Sequence, residues 1–440
     1  MEGVIFGRYV ADLRGSCVTQ GYAKPNPDLR YLVVQVMSPP LRVYEHSASS
    51  PSLLFALKSC LPYSLPLYRR IQFHDRGPDA HVLATFPPGG DTDIHSGPQD
   101  AGNIPNCFAA AFVDRSLRPQ TEMWAFVRGE MPDHQPQDRR PASVTALITK
   151  EPGAKPSQVE EASSTLKTIP IRTKISTPHS SSNATLSCPT CTSAFISLLK
   201  YISALPDVPL RPDNEKYLKM ATANATALGD LDVRHQSINP ASYLAHLLIP
   251  TVLTLGTLHS SLTSILTALN LVRTEFPGLE APCQKFIFRL SDLNTPVSLP
   301  EGLRWGEMRA QDLKIVQART AIPRSDRALS SLKSVGVFEE DADAPIAWAF
   351  LGSDGSLTSL HVEPAFRNRG LAKAVAAKLF REHVPGNVRA DHGDDWAHAD
   401  VYEGNLQSER VCKSLGGQKW WSIFWVRLDL GRVGTMGDES

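Results

Sequence analysis

The stretch from Leu357 to Phe380 constrains this chain most. An apolar run reaches Val362, Pro364 stops it, and a basic Arg367-Asn368-Arg369 loop leads through Gly370 into a run of good helix formers. A strand that becomes a helix over so few residues sets the helix N-terminus against the strand end. The first N–H groups of a helix have no internal partner, and its dipole favours negative charge there. The junction therefore suits an anion such as a phosphate. Gly370 has no Cβ, so a phosphate can approach the backbone, and small Ala372 keeps a second approach open. Arg367 and Arg369 add charge-assisted hydrogen bonds. A solvated basic loop is the plain alternative.

The order of elements around this junction gives it context. Phe286–Leu290 reads as a strand and Gln311–Arg319 as a helix. Pro345–Leu351 and Leu357–Val362 read as strands joined by the Ser353-Asp354-Gly355-Ser356 turn. In the helix Gly370–Phe380, apolar Leu371, Val375 and Leu379 recur four apart. Ala397–Tyr402 follows as a strand, Gln407–Leu415 as a helix and Trp420–Leu428 as a long aromatic strand. Trp420, Trp421, Phe424 and Trp425 are expected to pack as core rather than to stack on bases.

Arg367-x-x-Gly370-x-Ala372, with the lead-in Leu360-x-Val362-x-Pro364, resembles the pyrophosphate loop of the GCN5-related N-acetyltransferase (GNAT) superfamily. Asn405, Ser408 and Leu415-Gly416 resemble its second motif. Arg319–Arg324, His398–Val401 and Val411–Gly417 are similar to the FR47-like, glycine N-acyltransferase-like subgroup, especially its uncharacterised fungal members. The resemblance covers about 283–430, and a weaker one covers 41–130.

It implies an α/β (α+β) fold with a mixed central sheet flanked by helices and a smaller N-terminal α/β lobe. It also implies acetyl-CoA, or another acyl-CoA, as cosubstrate, and a primary amine as acceptor: a small molecule, an amino acid or a protein amino group. The acyl-CoA would lie between the strands ending at Val362 and Tyr402. Leu360, His361 and Val362 would pair with the pantetheine and thioester, Arg367, Asn368, Arg369, Gly370, Leu371 and Ala372 would hold the pyrophosphate, and Asn405 and Ser408 would complete the site. The amine attacks the thioester directly.

The superfamily's usual Tyr position is Cys412 here, so Ser408 is the substitute proton donor. His361, Asp400 and Glu403 are the candidate bases, since all three stand at strand ends. Strand alternation decides whether His361 faces the site. A catalytically inactive binding or scaffold protein on the same fold is the rival reading, favoured by Cys412 in place of Tyr.

The remainder reads less clearly. Residues 1–40 are an unassigned extension and 431–440 a tail. Leu53–Leu57 is a short helix. Arg69–Phe73, His81–Phe86, Phe108–Asp114 and Glu122–Val127 look like four short strands of the lobe, with Pro87–Pro105 a loop. Residues 131–190 form a Pro- and Ser-rich linker or inserted loop, expected to be disordered because it cannot bury enough apolar surface. Residues 191–282 read as helical, with Ala241–Val272 a buried or amphipathic helix pair too broken by Pro250, Gly256 and His259 to cross a membrane.

The 440 residues carry 45 basic and 45 acidic side chains, so no global charge favours nucleic acid or an anionic membrane as partner. Seven scattered Cys and no signal-peptide pattern at Met1–Val10 point to reduced thiols and an intracellular site, cytoplasmic or nuclear. Cys188-Pro189-Thr190-Cys191 is a CxxC with His179 nearby. One CxxC supplies half a zinc set, and no second one exists, so no metal is assigned; a zinc-dependent interaction module is a third reading.

Overall fold

The computed structural model describes residues 40–89, 104–134, 186–216, 218, 219, 223, 231–233, 236–238, 249–274, 279, 281–293, 298–320, 324–384 and 394–436. The N-terminal extension, most of the Pro87–Pro105 loop, most of the 131–190 segment, most of Asp213–Leu228 and the last tail residues lie outside this set, as does His179.

The strands in chain order are β1 (Tyr44–Glu45), β2 (His81–Ala84), β3 (Ala109–Val113), β4 (Met123–Val127), β5 (Leu231–Val233), β6 (Gln236–Ile238), β7 (Val252–His259), β8 (Cys283–Arg289), β9 (Leu303–Gly306), β10 (Lys333–Glu339), β11 (Pro345–Leu351), β12 (Ser356–Val362), β13 (Trp396–Tyr402) and β14 (Gln418–Asp429). The helices are α1 (Pro51–Lys58), α2 (Leu65–Gln72), α3 (Pro189–Ser203), α4 (Ser260–Ala268), α5 (Leu313–Ala318), α6 (Asp326–Ser330), α7 (Leu371–His383), α8 (Leu406–Ser414) and α9 (Leu430–Gly434). Twelve strands form one mixed sheet, in the order β1-β2-β3-β4-β7-β14-β8-β13-β12-β11-β10-β9. β5 and β6 form a separate hairpin.

The sheet is apolar on both faces because helices cover both. In β3, Ala109, Ala111 and Val113 face a core with α3, α4 and α9, whereas Ala110 and Phe112 face α1 and α2. β3 is buried at every position, as a strand covered on two sides must be. In the other half, Ala347 and Ala349 of β11 face α7, and Trp348 and Phe350 face α5 and α6.

The two halves repeat one plan. In the first, β4 is followed by α3, and β7 by α4; in the second, β12 is followed by α7, and β13 by α8. Each half holds a parallel pair, β4 with β7 and β12 with β13, and these are the two parallel pairings among the described residues. β14 joins the halves: its first part pairs with β8 and its second with β7, which is why it runs to 12 residues. Side-chain ties cross between the halves, among them Arg69 to Asp394 at 2.6 Å, Trp124 Nε1 donating to Asp354 at 3.3 Å, Gln120 Nε2 donating to Ser325 Oγ at 3.0 Å and Arg327 to Asp75 at 3.1 Å.

Two expectations are corrected. Arg69–Phe73 is not a strand; its first residues end α2, where Pro66 fits the first turn and the apolar face turns inward. Buried Arg70 lies 3.8 Å over the Phe112 ring, so a residue that looks like a strand's polar face fills a core position. The 191–282 region is not wholly helical either: Val252–His259 is a strand buried at all eight positions, and the helical spacing begins only at Ser260. A central strand covered on both faces is a continuous apolar run, which periodicity does not separate from a buried helix.

Candidate active site

The site grows from one local defect in the sheet. β12 and β13 pair only through Ser356–His398 and Leu357–Ala399. No further pairing joins them among the described residues, so the strands part toward their C-terminal ends. On its other edge β12 pairs with β11, and the register shifts: Phe350 faces Thr358 but Trp348 faces His361. One extra residue is thus lodged in β12, a β-bulge at Ser359, whose φ is +52°.

The bulge sets which way each side chain points. Leu357, Leu360 and Val362 all lie toward α7, which strict alternation would not allow. His361 is turned to the opposite face, stacked on Trp348 with ring centroids 4.6 Å apart. Its Nε2 is 3.7 Å from Glu363, is buried, and finds no hydrogen-bond partner among the described residues. Burial pulls its pKa below the ordinary histidine value; Glu363 opposes this, and Arg367 and Arg319 add to it. The imidazole is therefore neutral near pH 7.

At the end of β12 the chain turns back on itself. Arg367 Nε donates to the Val362 carbonyl at 3.0 Å, and the Arg369 guanidinium lies 5.4 Å over the Phe366 ring. Asn368 and Gly370 both have positive φ, +62° and +79°. Gly370 caps α7 with no side-chain hydrogen bond, and a Cβ added to it would meet nothing within 4 Å. Arg367, Asn368, Arg369 and Gly370 are exposed, and Leu371 anchors the helix in the core, with Ala372 half-buried beside it. Open space, uncapped helix N–H groups and two arginines thus meet at one point, which is what an anionic ligand needs.

β13 ends on the same side, because it runs parallel to β12. Asn405 follows it and caps α8, its Oδ1 accepting the Ser408 N–H at 3.1 Å. Cys412 is buried against the α7 side, and burial, then Asp400 and Glu409, push its thiol up to about 12. It stays protonated at neutral pH. Glu403 is exposed. Asp400 faces the other way and forms an ion pair with Lys285 at 2.5 Å, both side chains nearly without solvent contact. Lys285 also lies 3.2 Å from His398 Nδ1, whose Nε2 reaches the Asp354 carbonyl at 2.9 Å. Asp400 is therefore engaged inside the sheet and offers the cleft no free carboxylate.

The site also holds residues that strand-end reasoning passed over. Arg319 Nε donates to Glu363 at 2.9 Å, and an Arg324 guanidinium nitrogen donates to Thr358 Oγ1 at 2.8 Å. Arg324 is half-buried, and desolvation of its guanidinium pulls its pKa down. Both arginines come from the segment after α5 and meet β12 on the His361 face. The sequence signal was the Arg319–Arg324 phrase itself; what it touches depends on the bulge.

Two family models match the chain. The family model for FR47-like protein matches residues 334–426, the span from β10 into β14. This half is therefore similar to FR47-like protein over that span. The family model for the acyl-CoA N-acyltransferase verG N-terminal domain matches residues 40–286, more than half of the chain, and the chain belongs to that family.

Similar solved structures include a Drosophila protein, 13% identical, covering 88% of this chain and 98% of its own, with a TM-score of 0.47. A tandem GNAT protein from the clavulanic acid biosynthesis pathway is 10% identical, covers 89% and 99%, and has a TM-score of 0.37. A putative GNAT-family acetyltransferase from Novosphingobium aromaticivorans is 19% identical, covers 34% and 64%, and has a TM-score of 0.26. No curated protein matches the chain. Among the described residues, no helix is long and apolar enough to cross a membrane.

Proposed function

We propose that this chain transfers an acyl group, acetyl in the first instance, from acyl-CoA to a primary amine in the cleft between β12 and β13. One observation carries the reading. The parting of the parallel strands, the bulge at Ser359 and the uncapped, open N-terminus of α7 all lie at the C-terminal end of β12.

In this reading the pyrophosphate rests on the amides from Asn368 to Ala372, with Arg367 and Arg369 as counter-charges. The pantetheine pairs with backbone freed by the parting strands, beside Leu360 and Val362. The amine nitrogen attacks the thioester carbon. A C–N bond forms, the oxygen gains negative charge and is held by a backbone N–H of β12, and the C–S bond then breaks. The ammonium proton goes to His361, whose neutral imidazole and unpartnered Nε2 suit it as the base. His361 passes its proton to solvent, and the CoA thiolate takes one from solvent by way of the Ser408 hydroxyl, which is left unchanged; Cys412 is protonated but buried. Asp400 positions Lys285 and His398. Arg319 and Glu363 bracket the acceptor side.

The test is to incubate the full chain with acetyl-CoA and longer acyl-CoAs, each with a panel of amines and amino acids. Free thiol and acylated amine are then measured together. Equal release of both supports the proposal. Acyl-CoA binding with no transfer to any amine would instead favour a binding or scaffold role.

A further inference from the structure

The first half of the sheet holds a second cluster of reactive side chains. Cys107 lies just before β3, His134 just after the 3-10 turn Arg128–Glu130 that follows β4, and Cys188 and Cys191 at the start of α3. One ligand atom from each comes within 4.8 Å of all the others. Cys107 Sγ is 3.6 Å from both Cys188 Sγ and His134 Nε2, and Cys191 Sγ is 3.3 Å from the same nitrogen. Zinc bonds of about 2.3 Å to sulfur and about 2.05 Å to nitrogen, in a tetrahedron, place two sulfurs roughly 3.8 Å apart and sulfur and nitrogen roughly 3.6 Å apart. These three separations match within a few tenths of an ångström.

We propose that Cys107, His134, Cys188 and Cys191 bind one structural zinc ion. None of the three cysteines is in a disulfide, and Cys188 and Cys191 are buried. Four protein ligands close the coordination shell, which marks a structural site rather than a catalytic one. Binding is balanced: Zn²⁺ displaces three thiol protons, and neutral His134 gives its lone pair.

The surroundings fit. Cys188 is the N-cap of α3 and Cys191 lies in its first turn, where the helix dipole favours thiolates. Gly129 lets the chain pass close: a Cβ there would meet the Cys191 Cβ at 3.0 Å and its Sγ at 3.2 Å. The site pins both ends of the 131–190 segment to the sheet, since His134 precedes most of it and Cys188 follows. The repeated plan adds a further point. The start of α3, which follows β4 in the chain, is the counterpart of the start of α7, which follows β12. The proposed phosphate loop stands at that position in one half and the metal ligands in the other.

The full-length protein, grown with zinc and purified without chelator, should contain about one zinc per chain by elemental analysis. His134→Ala and Cys107→Ser should each cut this at least fivefold, while Gly370→Glu leaves it intact. Cobalt loaded into chelator-stripped protein should give the intense visible bands of a tetrahedral thiolate site, and zinc should bleach them stoichiometrically. Stripping zinc should lower the melting temperature, and adding it back should restore it. A folded, reduced wild-type chain that carries no zinc and takes up neither zinc nor cobalt overturns the proposal. So does a Cys188–Cys191 disulfide in freshly purified protein, or a stoichiometric metal other than zinc. Because these readouts use wild-type protein, the test stands even if a variant fails to fold.

Discussion

Gly370 and Gly302 make a matched pair that separates cofactor binding from stability. Both have φ of +79°, and a Cβ added to either would meet nothing within 4 Å. Gly370 opens α7 at the cleft; Gly302 lies in the turn before β9. An L-residue in this conformation costs about 1–2 kcal/mol from backbone sterics. With no clash to add, Gly370→Ala, Gly370→Glu and Gly302→Glu should all lose that much stability and no more. Their acyl-CoA affinities should differ. A carboxylate about 5 Å from a pyrophosphate of two charges costs about 1.7 kcal/mol in a water-like dielectric, roughly a 20-fold loss in affinity. Physiological salt should about halve that energy. Calorimetry with acetyl-CoA at low and moderate salt, beside urea unfolding of the same samples, reads both quantities. Gly370→Glu should bind at least about tenfold more weakly than wild type at low salt. Gly370→Ala should lose only a few-fold, and Gly302→Glu nothing. Equal affinity in Gly302→Glu and Gly370→Glu, with both folded, would refute the placement of the phosphates.

Three further outcomes follow from the charged and titrating groups. His361→Gln should slow acyl transfer by about 10²–10⁴-fold and abolish the acid limb of the rate profile. In wild type that limb should fall below the ordinary histidine pKa, since burial depresses His361. Lys285→Met leaves the buried Asp400 carboxylate unpaired and should cost about 3–5 kcal/mol in urea unfolding, of which Lys285→Met/Asp400→Leu should recover most. His259 is buried, with its pKa lowered to about 4, and its Nδ1 caps α4 by accepting the Ser261 N–H. The unfolded chain takes up this proton first as pH falls below 6.5, so stability is lost between there and about 4. His259→Asn keeps a cap and should outlast wild type at pH 5 by about 2 kcal/mol, with no advantage at pH 8.

The Leu357–Phe380 junction was legible because its information is local. A strand, a proline, a glycine and a run of helix formers state their conformation within a few residues, and the helix N-terminus carries its electrostatics with it. The alternating strands and helices after Pro345 were legible for the same reason. β7 was not, because a buried strand and a buried helix are both continuous apolar runs until something covers them, and α2 was not, because its Arg69 and Arg70 are buried where a local pattern reads a polar face.

Sequence alone therefore determined the strand-to-helix junction at Gly370, the helix it opens, and the α/β class of the second half. Tertiary structure decided the rest. A single extra residue at Ser359 turns His361 toward Trp348, and no local pattern announces a register shift that needs β11 as its reference. Asp400 reads as an open carboxylate until Lys285, from a strand more than a hundred residues earlier, closes on it. Cys188 and Cys191 are half a site until the sheet and the turn after β4 bring Cys107 and His134 to them. In each case the deciding contact is between residues far apart in the chain, and only the folded sheet sets their distance.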